Sequence, residues 1–215
     1  MEGKPKNKPI LLLDLYGVII KESKGYFIPY TFAHFDAGEH DRLTRAFREE
    51  CLFTKAGNGD LSSDEFLSRL GFPEPREAME DYLTNYLTLD PDFPRFAERY
   101  YRQYDFVLLS NDVREWSRYL FALHKLQKYF KDTIVSGEIH MRKPENRIFT
   151  HTLERLQCRP RECIFVDNSV RNLTAAREAG LETVLFNRDH EAYSGNIVNN
   201  FQELADFLNE YTKTV

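Results

Sequence analysis

The chain has 215 residues, 42% of them hydrophobic and 29% charged, enough length and apolar content to bury a core without disulfide or metal staples. Lys and Arg number 29 against 34 Asp and Glu, a formal net charge of −5, which excludes the overall cationic surface that nucleic acid or anionic membranes recruit. No stretch approaches the roughly 20 apolar residues that span a bilayer, and Cys51, Cys158 and Cys163 form no Cys-x-x-Cys pair. A reduced, cytoplasmic protein, monomer or homodimer, with no nucleic-acid or membrane partner is expected.

Residues 1–9 read as a flexible basic tail. The apolar run that follows stops after four residues at Asp14, short of the about 7–15 that a signal peptide needs. Ile10 to Leu13 is the first of three continuous apolar runs that end abruptly on small polar or acidic residues. The others are Phe106 to Leu109 before Ser110-Asn111, and Cys163 to Val166 before Asp167-Asn168. Short runs of this kind read as strands buried on both faces, as in a parallel sheet.

Residues 20–102 carry helical periodicity at Leu43 to Phe53, Phe66 to Leu70 and Met79 to Leu89, and no buried strand. Ser62 and Glu65 have the spacing of a capping box. Pro73, Pro75, Pro91 and Pro94 punctuate the rest. Tyr26, Phe27, Tyr30, Phe32 and Phe35 read as core aromatics, and Arg42, Arg45 and Arg48 as a solvated helix face. Gly57-Asn58-Gly59-Asp60 fails as a calcium loop, because Lys55 or Ala56 stands where the first acidic ligand is required. No histidine spacing suits a metal.

Beyond residue 103, helical patterns at 114–126, 146–156, 169–179 and 201–211 alternate with strands at 106–111, 133–136, 163–168 and 183–186. This alternation predicts an α/β protein with a Rossmann-like open parallel sheet. Residues 10–19 and 103–215 form its core, with a helical cap over 20–102 inserted after the first strand. Ligands bind such sheets beyond the carboxyl ends of the strands, where Asp14, Ser110, Asn111 and Asp167 all fall. A carboxylate held there serves as a nucleophile or as a ligand for a hard cation. Ser110 and Asn111 offer donors and Lys143 a point charge for a phosphoryl oxygen.

Asp14-Leu15-Tyr16-Gly17-Val18, Ser110-Asn111, Lys143-Pro144, and Asp167-Asn168 with Asn172 resemble, in order, the four motifs of the haloacid dehalogenase hydrolase superfamily, in its helical-cap branch. The resemblance runs from Ile10 to about Asn187. It implies a small phosphorylated metabolite as substrate and Mg²⁺ as cofactor. Asp14 would be the nucleophile, forming a covalent aspartyl ester. The Asp14 carboxylate, the Tyr16 backbone carbonyl and Asp167 would hold the ion. Ser110, Asn111 and Lys143 would bind the transferring group, while Asn168 and Asn172 support it from behind. Phosphoryl transfer needs mostly positioning and charge neutralisation, which this set supplies.

One position departs from the phosphatases of that superfamily. They carry a second aspartate two residues after the nucleophile as general acid and base, and this chain has Tyr16. An unperturbed tyrosine titrates near about 10 and is a poor base at neutral pH, so phosphatase activity is expected to be weakened, with Asp112 as a conceivable substitute. Asp-x-Tyr-Gly resembles the 2-haloacid dehalogenases, whose halide leaves without a proton. Three readings stand together: a Mg²⁺-dependent phosphatase, a dehalogenase-type hydrolase, and a catalytically impaired binding protein on the same scaffold.

Overall fold

The computed structural model describes residues 8–214, with side chains described to residue 211; apart from Lys8 and Pro9, the expected tail lies outside the described residues. Strand β1 (Ile10–Leu13) is followed by five helices: α1 (Phe27–Ala33), α2 (His40–Arg48), α3 (Leu52–Gly57), α4 (Ser63–Leu70) and α5 (Pro75–Asn85). Next come α6 (Phe93–Tyr100), β2 (Asp105–Ser110), α7 (Arg114–Leu123), β3 (Phe130–Val135), α8 (Ser136–Ile139) and α9 (Asn146–Leu156). The chain closes with β4 (Cys163–Asp167), α10 (Val170–Glu178), β5 (Glu182–Phe186), β6 (Asn196–Val198) and α11 (Phe201–Thr214).

The strands form one parallel sheet in the order β3-β2-β1-β4-β5-β6. The expected open α/β architecture is therefore present. Successive side chains of a strand point to opposite faces, and here both faces are covered. Leu11, Leu13, Phe106 and Leu108 meet Trp116 and Leu120 of α7 and Leu204 and Leu208 of α11. Ile10, Leu12, Val107 and Leu109 meet Ile148 and Phe149 of α9 and Leu173 and Ala176 of α10. Chain order runs outward from β1 in one direction through β2 and β3, and in the other from β4 to β6. The switch point of the sheet lies between β1 and β4. Among the described residues no helix is long and apolar enough to cross a membrane.

Three local departures from the sequence expectations have physical reasons. The helix expected over 43–53 breaks at Cys51, whose φ of 54° lies in the left-handed region. The helical stretch expected to reach 102 divides before α6: Phe93 and Phe96 pack on Phe201 at 5.4 and 5.0 Å, and Phe96 on Phe106 at 5.9 Å. Helix α6 thus belongs to the sheet layer, and Pro94 lies in its first turn, where a missing N–H is harmless. β6 was not foreseen; it has three residues, and Asn196 and Ile197 are exposed, so no apolar run marks it.

The inserted helices α1–α5 have their own aromatic centre, continuous with one face of the sheet. Phe27 is 1% exposed and its ring lies 4.8–6.3 Å from those of Tyr30, Phe47, Phe53, Phe66, Tyr82 and Trp116. The Trp116 indole N–H donates to Ser63 Oγ at 2.8 Å, fixing α7 to α4. The capping box opens α4 as expected: Ser62 Oγ accepts from the Glu65 amide and the Glu65 carboxylate accepts from the Ser62 amide. Phe27→Ala is expected to cost about 3–5 kcal/mol, measured by urea unfolding; a loss below about 1 kcal/mol would mean that these rings do not close on one another.

Candidate active site

Asp14, Ser110, Asn111, Lys143 and Asp167 hang from strand ends or from the loop that crosses them. Asp14 follows β1, and its amide donates to the Val166 carbonyl of β4 at 3.0 Å, so the switch point itself aims the carboxylate. The Leu15 amide donates to Asp14 Oδ1 at 2.8 Å. Gly17 closes the turn at φ 78°. A Cβ there would stand 2.3 Å from Asn168 Nδ2, so only glycine lets the β1 and β4 loops meet.

Lys143 enters from the loop after α8. Its backbone is held by Asn111: the Asn111 amide donates to the Lys143 carbonyl, and the Lys143 N–H donates to Asn111 Oδ1, both at 2.8 Å. The buried ammonium then donates to Asp14 Oδ1 at 2.8 Å, Asp167 Oδ2 at 2.7 Å and the Leu109 carbonyl at 2.7 Å. An ammonium has three N–H donors, and all are used. Burial opposes the charge on Lys143, but Asp14 and Asp167 outweigh it and raise its pKa. Burial pushes Asp14 up to about 6; Lys143 pulls it down and Asp167 adds to the rise. Asp14 is therefore ionised at neutral pH, with its charge neutralised from below.

Asp167 is fully enclosed. Its oxygens accept from Lys143 at 2.7 Å, from the Ser169 amide at 2.7 Å and from Asn172 Nδ2 at 3.1 and 3.2 Å. These donors occupy the lone-pair sites of a carboxylate, and Asp167 is not among the residues lining the cavity. Expected among the metal ligands, it is instead turned to Lys143. Ser110 also lies outside the cavity lining, at 0% exposure, and its Oγ has no hydrogen-bond partner among the described residues.

Above Asp14 opens a cavity of about 380 Å³, lined by Asp14, Tyr16, Asn111, Asp112, Lys143, Asn168 and Asn172 from the core and by Phe53, Thr54, Gly57 and Tyr82 from the insertion. Lys24, Arg142, Asp189 and Glu191 add charges. Tyr16 does more than fill space: its hydroxyl donates to Asp112 Oδ1 at 3.3 Å. Asp112 also accepts from the Val113 amide at 2.8 Å and from Ser117 Oγ at 2.5 Å. Burial pushes Asp112 up to about 7, against those hydrogen bonds. Burial, reinforced by Asp112 and Tyr82, holds the Tyr16 phenol well above its usual range, so it remains a donor.

Among the described residues, no donor reaches Asp14 Oδ2, the Tyr16 carbonyl or the Asn168 side chain. These are hard oxygen donors beside one carboxylate, a set that suits a divalent cation retaining several waters. The described residues hold no cluster of three or more His, Cys, Asp or Glu able to bind a metal, consistent with the withdrawal of Asp167. Sequence reading named Asp14, Asn111, Lys143 and Asp167 and did not foresee Tyr82, Trp116, Lys24 or Arg142. Tyr82 and Lys24 come from the insertion and Arg142 from a loop that no apolar run marks, while Trp116 lies on the expected helix α7 and gave no sign of facing the cavity.

The family model for haloacid dehalogenase-like hydrolases matches residues 9–180. A glyceraldehyde 3-phosphate phosphatase of Methanothermobacter thermautotrophicus is 25% identical over 119 residues, 49% of this chain and 51% of that protein. The chain spans about half or less of the length of the curated relatives it matches. A HAD family enzyme of Bacteroides thetaiotaomicron, solved with magnesium and inorganic phosphate, has TM-score 0.71 at 21% identity, covering 87% of this chain and 98% of that one. A 2-haloacid dehalogenase of Pseudomonas syringae pv. Tomato has TM-score 0.71 at 14% identity, covering 95% and 100%.

Removing one member of a buried ionic set leaves its partners uncompensated, at about 3–5 kcal/mol. Lys143→Met is expected to destabilise the chain by about that much, read as a lower urea midpoint with the slope unchanged. An unshifted midpoint would show that Asp14 and Asp167 do not share this ammonium.

Proposed function

Because the chain belongs to the haloacid dehalogenase-like hydrolases, we propose that it hydrolyses a small phosphomonoester through Asp14. The observation that carries this reading is the Asp14 carboxylate, with one oxygen tied to Lys143 and the other free beneath an enclosed cavity. Asp14 Oδ2 attacks phosphorus, the bond to the leaving oxygen breaks, and that oxygen takes up a proton. Water then attacks the aspartyl phosphate, releasing inorganic phosphate and restoring the carboxylate. Lys143 stabilises the Asp14 charge throughout rather than binding the phosphoryl group, since its three N–H groups are occupied. Ser110 lies outside the cavity lining, and the cations that line the cavity, Lys24 and Arg142, are the charges left for a phosphoryl oxygen.

Mg²⁺ held by the Asp14 carboxylate and the Tyr16 carbonyl, with the Asn168 amide beside them, would supply neutralisation of phosphoryl charge. Asp167 acts through Lys143, and Asn172 holds Asp167 in turn. The leaving oxygen has two cavity-lining proton sources, the Tyr16 hydroxyl and the Asp112 carboxyl bonded to it. The cavity volume falls in the range of small-metabolite sites, and the phosphatase relatives support the substrate class. The three free cysteines suit a cytoplasmic setting.

Tyr16 and the occupied oxygens of Asp167 favour a second reading, haloacid dehalogenation, in which no leaving proton and no metal are required.

A panel of metabolite phosphates and p-nitrophenyl phosphate, with and without Mg²⁺, separates these readings. Turnover that EDTA abolishes and Asp14→Asn reduces to background is expected. EDTA-resistant chloride release from 2-chloropropionate would replace the phosphatase reading with the dehalogenase one. Wild type indistinguishable from Asp14→Asn on every substrate would leave a binding protein. Asp112→Asn is expected to lower kcat on an alkyl phosphate by about 10²-fold and to affect p-nitrophenyl phosphate far less, because its phenolate leaves without help. Equal losses on both would remove Asp112 from proton delivery.

A further inference from the structure

Two short linkers join the inserted helices to the sheet, and one side chain touches both. The outgoing linker runs from Gly17 to Glu22 and the returning one from Thr88 to Asp90. They pair antiparallel at Ile20 and Leu89, with the Lys21 amide donating to the Thr88 carbonyl and the Asp90 amide to the Ile19 carbonyl, both at 2.9 Å. Arg188 reaches them from the turn after β5. Its Nε donates to the Gly17 carbonyl at 3.0 Å and its Nη2 to the Val18 carbonyl at 3.1 Å, and Nη2 also bonds the Asp90 carboxylate. The guanidinium lies 4.8 Å from the ring centroid of Phe186, which limits its freedom further. Arg188 and Asp90 side chains are only 18% and 8% exposed. A second contact follows at once: Ser23 Oγ donates to Asp189 Oδ1 at 2.9 Å, and both residues line the cavity.

Away from the linkers the insertion meets the core through single hydrogen bonds and aromatic packing: Arg142 Nη1 donates to Asn58 Oδ1 at 3.4 Å and the Trp116 indole to Ser63 Oγ at 2.8 Å. Ser136 Oγ donates to the Gly57 carbonyl, and a Cβ on Gly59 would stand 2.4 Å from the Gly137 carbonyl. The linkers are thus held by a buried charged pair and its hydrogen bonds to backbone carbonyls, and the helices themselves by single hydrogen bonds and the shared aromatic core.

The geometry points to Arg188 as a positioning residue that pins both linkers and so sets the closed pose of the inserted helices over Asp14. Its forked guanidinium spans three acceptors that no single-headed cation matches. Because the Gly17 and Val18 carbonyls belong to the turn that follows Asp14 and Tyr16, the pin ties the pose of the insertion to the floor of the cavity. Substrate that binds only the closed pose has its apparent affinity reduced by the fraction of molecules in that pose. Loosening the pin therefore raises KM and leaves kcat in place.

Native-state hydrogen exchange on the full chain tests the pin, and only a parallel kinetic measurement rests on the phosphohydrolase reading. In Arg188→Gln the Lys21 and Asp90 amides are expected to exchange about tenfold faster or more, with the sheet amides of Leu12 and Phe165 unchanged. Asp90→Asn is expected to act in the same direction, the double variant to exceed neither single one by much, and Arg188→Lys to recover part of the protection. If Arg188→Gln does not fold, Asp90→Asn and Arg188→Lys carry the test. Unchanged linker amides, or equal acceleration of linker and sheet, would overturn the assignment. With p-nitrophenyl phosphate, KM is expected to rise about tenfold in Arg188→Gln at constant kcat; a fall in kcat at constant KM would overturn it as well. Absence of any turnover by wild type would end the phosphohydrolase reading and leave the exchange result standing.

Discussion

A single ammonium group holds the floor of this site together. Lys143 Nζ stands within 2.8 Å of Asp14 and 2.7 Å of Asp167 in a place almost without water. Two buried carboxylates at the ends of neighbouring strands would repel each other and raise each other's proton affinity. With the ammonium between them, two carboxylates share one cation, and the Leu109 carbonyl accepts its third N–H. The remaining negative charge is expressed at Asp14, the one of the pair that faces the cavity. A carboxylate open to the cavity is thereby separated from one enclosed beneath it, although both have the same chemistry and the same kind of position in the sheet.

That arrangement depends on the topology. In the order β3-β2-β1-β4-β5-β6 the strands β1 and β4 lie side by side at the switch point, so their loops diverge and leave a crevice between them. Gly17 and Asn168 nearly touch across it, which is why a side chain at 17 is impossible. The crevice would be open to solvent without the helices inserted after β1. Their aromatic centre around Phe27 is continuous with the α7 face of the sheet through Trp116, so the roof of the cavity and the floor share one apolar core. The pinned linkers and the close approach of Gly59 to Gly137 hold that roof over the crevice.

Much of this was legible in the residues. β1, β2 and β4 announced themselves as apolar runs because strands buried on both faces have no polar side to hide them; β3 and β5 were marked by shorter segments, 133–136 and 183–186, and β6 at the sheet edge by none. Ser62 and Glu65 specified the start of α4 because a capping box is a local contract between backbone and side chain. Pro94 misled, since a proline in a first turn starts a helix as readily as it interrupts one. Asp14, Lys143 and Asp167 were identified as one group, but their division of labour was not. Which way a carboxylate turns is decided by donors such as Ser169 N and Asn172 Nδ2, whose directions exist only in three dimensions. Arg188 escaped for the same reason: its partners lie some 170 and 98 residues away in the chain.

On the proposed reading, Tyr16 redistributes a role instead of deleting it. A phenol in that position cannot serve as a base at neutral pH, and burial drives its pKa further upward. Yet a protonated phenol donates to an acceptor within reach, and here that acceptor is Asp112, itself buried and pushed up to about 7. The pair has one proton-rich partner and one whose ionisation is poised near neutrality, the condition that favours proton exchange with a reacting oxygen. Ser117 and the Val113 amide keep Asp112 from rotating away, so on the proposed phosphohydrolase reading the carboxylate absent from the β1 loop would come from the loop after β2, one strand over in the same sheet.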